Sequence, residues 1–152
     1  MPYLSACIRE SQRLQPVAPA LSRRTQQDIA VGSTIIPKGT FVYIPIFQLH
    51  RDPIVYPDPE CFRPERWIDE DDPSKLIPTL PGYYFAFGGG PKMCVGFQLA
   101  EKEVKIAAAM VLQQYTMLPP ATNDPALATN IVDRFVTGPD KVFLRFQKRQ
   151  RS

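Results

Sequence analysis

The run Phe87-Gly88-Gly89-Gly90-Pro91-Lys92-Met93-Cys94-Val95-Gly96 constrains this chain more than any other. It is a glycine-rich loop with one cysteine, and an uninterrupted helical pattern begins directly after it. A cysteine at the mouth of a helix sits where backbone N–H groups and the helix dipole favour an anion. Glycines before it remove side chains, so a bulky flat group can approach the backbone closely. That combination suits a thiolate holding a metal while a macrocycle lies against the loop. From the loop alone, the alternative is a buried structural cysteine beside an ordinary glycine-rich turn.

Other chemistries that use glycine-rich loops fail on spacing. A phosphate-binding loop needs Gly-x-x-x-x-Gly-Lys followed by Ser or Thr, whereas Lys92 is followed by Met93. A dinucleotide fingerprint starting at Gly88 needs glycine where Met93 stands. Zinc is disfavoured because Cys7, Cys61 and Cys94 are far apart and His50 is the only histidine.

The flanking sequence carries further signals. Met1 to Leu14 reads as a helix with Leu4, Ile8 and Leu14 on one side and Pro16 just beyond its end. Glu10 and Arg13 lie three apart and share a helix face. By themselves they read as a surface ion pair worth a few tenths of a kcal/mol. Asp28-Ile29-Ala30-Val31, Thr34-Ile35-Ile36 and Thr40-Phe41-Val42-Tyr43-Ile44, joined at Gly32-Ser33 and Pro37-Lys38-Gly39, read as a β-meander. His50-Arg51-Asp52-Pro53 and Tyr56-Pro57-Asp58-Pro59 form a proline-punctuated run that cannot be regular helix or central strand. Phe62-Arg63-Pro64-Glu65-Arg66-Trp67 follows. After Gly96, Phe97, Ala100, Val104, Ala107, Ala108, Val111 and Tyr115 keep helical spacing for roughly 18–20 residues, a rod of about 30 Å whose alanines allow close packing. Beyond Pro119-Pro120 a polar, loop-like stretch leads to a hairpin signal. Its strands are Phe135-Val136 and Lys141 to Phe146, turning at Thr137-Gly138-Pro139-Asp140. The basic ending Lys148-Arg149-Gln150-Arg151 reads as a solubilising tail.

In spacing, Phe-x-x-Gly-x-Lys-x-Cys-x-Gly resembles the haem-binding loop of the cytochrome P-450 family, in which cysteine is the axial iron ligand. Glu10-Ser11-Gln12-Arg13 resembles that family's Glu-x-x-Arg, and Pro64-Glu65-Arg66-Trp67 its Pro-Glu-Arg-aromatic segment. The motifs stand in the family's order from Pro2 to about Pro119. The resemblance implies a mixed, mainly helical fold with a small β-meander and hairpins, a C-terminal fragment of the cytochrome P-450 fold. Residues 1–152 would be the C-terminal part of a single haem-thiolate domain, with 120–152 its polar loop, terminal hairpin and basic tail.

The same resemblance assigns roles. Cys94 would be the proximal thiolate, donating electron density that favours O–O cleavage. Phe87 would shield the sulfur, and Gly88, Gly90 and Gly96 would line the cradle. Lys92 stands where the family usually has arginine or histidine against a haem propionate. Lysine supplies charge but no bidentate fork, so anchoring there would be weaker; a solvated lysine is the plain alternative. Arg23, with Arg24 one register away, aligns with the strand arginine that holds a propionate. Glu10, Arg13 and Arg66 would form a network pinning the meander loop beneath the haem. His50 would be structural.

Function follows by the same implication. The chain would be the haem- and iron-binding part of a monooxygenase inserting one oxygen atom of O2 into a small hydrophobic substrate. The cofactor would be haem b. Electrons would come from NAD(P)H through a separate reductase on the proximal face, where Lys102 and Lys105 lie; interleaved Glu101 and Glu103 equally suit a solvated face. The alternatives are a truncated, non-catalytic remnant that at most binds haem or a partner, and a reductase-independent haem-thiolate isomerase or dehydratase. The family's distal helix with its acid–alcohol pair, most of its substrate pocket and the microsomal membrane anchor are not among these residues, so the isolated chain is expected to be aggregation-prone. A full-length microsomal relative would be cytosol-facing on the endoplasmic reticulum membrane.

Bulk properties exclude other classes. A net charge of +3 is too weak to argue nucleic-acid binding, and no such signature accompanies it. Three scattered cysteines give no disulfide framework. The longest apolar runs, Phe41 to Phe47 and Ile106 to Leu112, fall far short of the ~18 residues a membrane span needs. Seventeen prolines in 152 residues, about twice the usual ~5% share, fit a loop-rich organisation.

Overall fold

A computed structural model describes residues 1–79, 82–119, 131–133, 137–139 and 143–150. Helix α1 (Pro2–Leu14) starts with Pro2, which suits a first helical turn because it lacks an N–H that would go unpaired there. Strands β1 (Leu21–Arg24), β2 (Ile29–Val31), β3 (Thr34–Ile36) and β4 (Phe41–Ile44) follow, then a single helical turn, α2 (Ile46–Leu49). Pro64–Trp67 and Gly90–Lys92 form short 3₁₀ turns. Helix α3 (Phe97–Gln114) leads directly into β5 (Tyr115–Leu118), followed by β6 (Ile131–Asp133), β7 (Thr137–Pro139) and β8 (Arg145–Lys148).

Helices combined with small antiparallel sheets agree with the fold class read from the sequence, but strand pairing differs in two places. The three-strand meander is divided: β2 and β3 form a hairpin, whereas β4 pairs with β1, matching Leu21 with Ile44 and Arg24 with Phe41. The cause is local. Thr25 Oγ1 donates to Pro37 O at 2.7 Å and accepts from Thr40 N at 2.9 Å, and Gly39 N donates to Thr25 O. These bonds carry the chain around the β2–β3 hairpin and return it to β1. At the C-terminal end, Thr137–Pro139 is a strand paired with Ile131–Asp133, not a hairpin turn, and β8 pairs with β5. The remaining residues of that expected hairpin (135, 136 and 140–142), with the stretch 120–130 and Arg151, lie outside the described residues.

The apolar core is small: Ala6, Tyr56 and Trp67, with Val55, Ile68, Leu76 and Tyr84 packed around them. Its partner is a charged interior. Arg13, Ile46, His50, Glu10 and Pro16 are the largest fully buried side chains among the described residues. Helix α1 therefore buries Ala6, Glu10 and Arg13, which share one face at i, i+4 and i+7. Leu4, Ile8 and Leu14 are only half-buried. Helix α3 has the length read from its periodicity, yet none of its residues is buried. Its apolar positions Val104, Ala107, Ala108 and Val111 instead line an open groove of about 400 Å³ with Met117 and Phe146 of β5 and β8.

Candidate functional site

The Cys94 loop is built from backbone bonds. Gly88 N donates to Phe85 O at 2.9 Å, Met93 N to Gly90 O at 3.0 Å, and Cys94 N to Phe87 O at 2.8 Å. Gly88 (φ +79°) and Gly90 (φ +66°) occupy the left-handed region, where side chains are disfavoured, so the two sharp reversals require glycine. Gly96, with an ordinary φ of −88°, caps α3. A side chain there would enter open space, which leaves that face of the loop free for a flat group.

Cys94 itself is exposed, which removes the alternative of a buried structural cysteine. The rings of Phe87 and Phe97, one on each side of it in sequence, have centroids 6.2 Å apart and tilted by 53°. Val95 and Leu99 are open beside it. The donor set is thus one accessible sulfur in an apolar, glycine-relieved surface. No cluster of three or more His, Cys, Asp or Glu competes for a metal among the described residues. A single thiolate with room for a planar ring fits an axially ligated haem and does not fit a four-ligand metal centre.

Arg23 lies on the face of β1 shared with Leu21, because alternate strand residues point the same way. Leu21 Cδ1 approaches the loop at Gly88, to 3.7 Å from where a β-carbon would sit. This alternation puts Arg23, and not Arg24, on the Leu21 face of the strand. Arg23 Nη1 donates only to the neighbouring Ser22 O, at 2.8 Å, among the described hydrogen bonds. Arg23 and Arg24 both line one open groove of about 760 Å³ with Pro91. Lys92, next to Pro91 in its 3₁₀ turn, is exposed.

The structure brings Glu10, Arg13 and Arg66 together. Arg13 grips Glu10 with both ends of its fork, Nε to Oε2 and Nη2 to Oε1, each at 2.9 Å. Arg66 Nε donates to Oε1 at 3.0 Å. Two further donors were not legible in the sequence, Arg63 N to Oε1 at 3.0 Å and Trp67 Nε1 to Oε2 at 2.9 Å. Five N–H groups therefore saturate a carboxylate that has about four lone-pair directions. Burial opposes the charge on Glu10, but these donors outweigh it and hold the carboxyl down at about 2. The arginines extend the network to loop carbonyls: Arg13 Nη1 to His50 O at 2.8 Å, Arg66 Nη1 to Pro57 O at 3.1 Å.

Arg51 adds an unanticipated clamp. Its Nη2 donates to Leu14 O at 2.7 Å, closing the end of α1, while its guanidinium covers the Phe47 ring at 3.6 Å. The Lys102 and Lys105 surface is mixed: Lys105 approaches Glu101 at 3.7 Å, and Lys102 is exposed.

The cytochrome P450 family model matches residues 1–146. Cytochrome P450 3A29 of Sus scrofa is 36% identical over 142 residues, covering 93% of this chain and 27% of that protein. A probable cytochrome P450 4s3 of Drosophila melanogaster is 36% identical over 138 residues, 91% of this chain and 27% of that protein. The solved structure of retinoic acid-bound cyanobacterial CYP120A1 aligns with a TM-score of 0.79 at 32% identity, covering 98% of this chain and 33% of that one. This chain therefore spans about a quarter to a third of the length of the relatives it matches. A family match over nearly all its residues, with the fold to accompany it, means that the chain belongs to the cytochrome P450 family.

Proposed function

We propose that this chain forms the proximal wall of a haem-thiolate monooxygenase, with Cys94 as the axial ligand of haem b. The observation that carries the reading is the exposed Cys94 on a loop fixed by the Phe87 carbonyl and bordered by open glycine and apolar surface. Haem bound at Cys94 would supply the chemistry of oxygen activation and insertion of one oxygen atom into a small hydrophobic substrate, with electrons from NAD(P)H through a separate reductase. With haem in place, Phe87 would shield the sulfur from water, which would preserve its electron-donating character. Arg23 and Lys92 neutralise the propionates, Lys92 as a point charge and Arg23 as a fork.

Glu10, Arg13 and Arg66 do no chemistry in this reading. They hold the segment from His50 to Trp67 against α1, and that segment supports the loop from below. A separate reductase would dock on the proximal face, and the chain would face the cytosol, on the endoplasmic reticulum membrane in a full-length microsomal relative. Replacing Cys94 with Ser in the haem-loaded protein is the direct test. The variant should lose the absorption band that thiolate-ligated ferrous haem gives with carbon monoxide. Survival of that band overturns the assignment.

A further inference from the structure

We propose that His50 is a positioning residue for the Cys94 loop, its Nε2 holding the Phe85 amide and so tying the segment that carries the cysteine to the buried ionic cluster. The inference rests on the reading of Cys94 as the haem ligand. It comes from a group that this reading leaves without a task. His50 is the chain's only histidine and is completely buried. Phe85 N donates to His50 Nε2 at 2.8 Å, so that nitrogen must be unprotonated. The ring proton then sits on Nδ1, which faces Arg13 O at 3.2 Å. One imidazole thus joins the end of α1 to the start of the loop, accepting on one side and donating on the other.

The bond falls where it has leverage. Phe85 O is the acceptor for Gly88 N, and a β-carbon at Gly89 would lie 3.0 Å from the Phe85 ring, so Phe85 sets the first reversal of the loop on both its faces. Two residues on, Phe87 O holds Cys94 N. The residues before Phe85 are fastened to the same region: Tyr56 Oη donates to Tyr83 O at 3.0 Å, and Tyr84 Oη to Gln12 Oε1 at 2.9 Å. Tyr84 also stacks on the imidazole at 5.3 Å, and Tyr56 meets it edge-on at 6.5 Å. Of these three bonds, the one from Phe85 to His50 is the one that reaches a residue of the loop's own hydrogen-bonded frame.

The surroundings keep the ring neutral. Burial is the main cause that pushes its pKa down to about 4; the Arg13 carbonyl opposes it, and the charges of Arg13 and Arg51 add to the lowering, with the Gln12 carbonyl the smallest influence. Tyr56 and Tyr84 face the ring as neutral phenols, both held above the ordinary tyrosine value by burial. An imidazolium here would add a cation beside two arginines and lose the lone pair that Phe85 uses.

The test compares His50→Leu, which removes donor and acceptor, with His50→Gln, whose amide oxygen restores the acceptor toward Phe85. Both are made in the haem-loaded protein. Hydrogen exchange at the Phe85 amide should speed up at least about tenfold in His50→Leu and stay near wild type in His50→Gln. The carbon monoxide band should shift toward the thiol-ligated form in the leucine variant only. Equal effects in both variants, or unchanged Phe85 protection in His50→Leu, overturn the proposal. Should the leucine variant not fold, nitrogen NMR of wild-type His50 decides. An Nδ1-protonated tautomer at neutral pH supports the strut, and an Nε2-protonated or doubly protonated ring overturns it. If wild type itself lacks the thiolate band, the haem reading fails while exchange at Phe85 still judges the strut.

Discussion

The cluster around Glu10 and the surface of α3 invert the usual placement of side chains. In the first, a carboxylate, two guanidinium groups and an imidazole lie inside, with Glu10, Arg13 and His50 wholly shielded from solvent. In the second, Leu99, Val104, Ile106 and Met110 stand in the open, none less than 46% exposed. The difference shows what each region needs to be complete. A charge leaves water only where every bonding direction is met, and the donors around Glu10 all come from within these residues. Apolar surface has no such condition. Its stabilisation is proportional to the area covered, so an open helix face costs little until something covers it.

The sharpest way to break this comparison is to remove the carboxylate. Glu10→Gln leaves Arg13 and Arg66 buried without their counter-charge and should cost about 3–5 kcal/mol in urea unfolding. A loss below about 1 kcal/mol would mean the cluster is no more than a surface pair. Acidification attacks the same region by another route. Between pH 6.5 and about 4 the unfolded chain takes up a proton at His50 that the folded chain refuses. Between 4.5 and about 2 the same holds at Glu10. Both contributions are whole at neutral pH and are lost as pH falls, about 3 kcal/mol from each group. Urea midpoints measured from pH 7 to 3 should fall throughout, and Glu10→Gln should flatten only the lower part. The smallest effect belongs to α3: Ile106→Lys and Met110→Lys should alter stability of this chain by no more than about 0.5 kcal/mol. They should also reduce its self-association in sedimentation, because they break up the exposed patch. A destabilisation above about 1 kcal/mol would show that this face is covered in solution.

These contrasts explain how far the sequence could be read. Cys94 and its glycines were legible because their chemistry is local: bonds among neighbours set the loop, and glycine is demanded by φ at Gly88 and Gly90. Glu10, Arg13 and Arg66 were legible only through resemblance, since two residues three apart on a helix read just as well as a solvated pair. Trp67 Nε1, Arg63 N and the clamp of Arg51 gave no such signal. Each reaches a partner tens of residues away through a side-chain or backbone direction that composition does not encode. The β-meander was misread because strand propensity identifies strands and leaves their partners open. Thr25, bonded to both ends of the Pro37–Thr40 turn, decides that β4 returns to β1.

Periodicity on α1 failed instructively. Leu4, Ile8 and Leu14 marked an apolar face, yet the face that turned inward carries Ala6, Glu10 and Arg13. A saturated ion network outweighed the modest gain from burying a few aliphatic side chains. By itself, then, the sequence determined the two long helices, the strands β2 to β4, the cysteine loop and the family, because these rest on short-range spacing and backbone permission. Only the tertiary structure decided which helix face is inside, which strands pair, and that one neutral histidine bridges the ionic cluster to the loop. Those outcomes depend on whether distant donors and acceptors can meet at bonding distance with water excluded, and no local pattern carries that information.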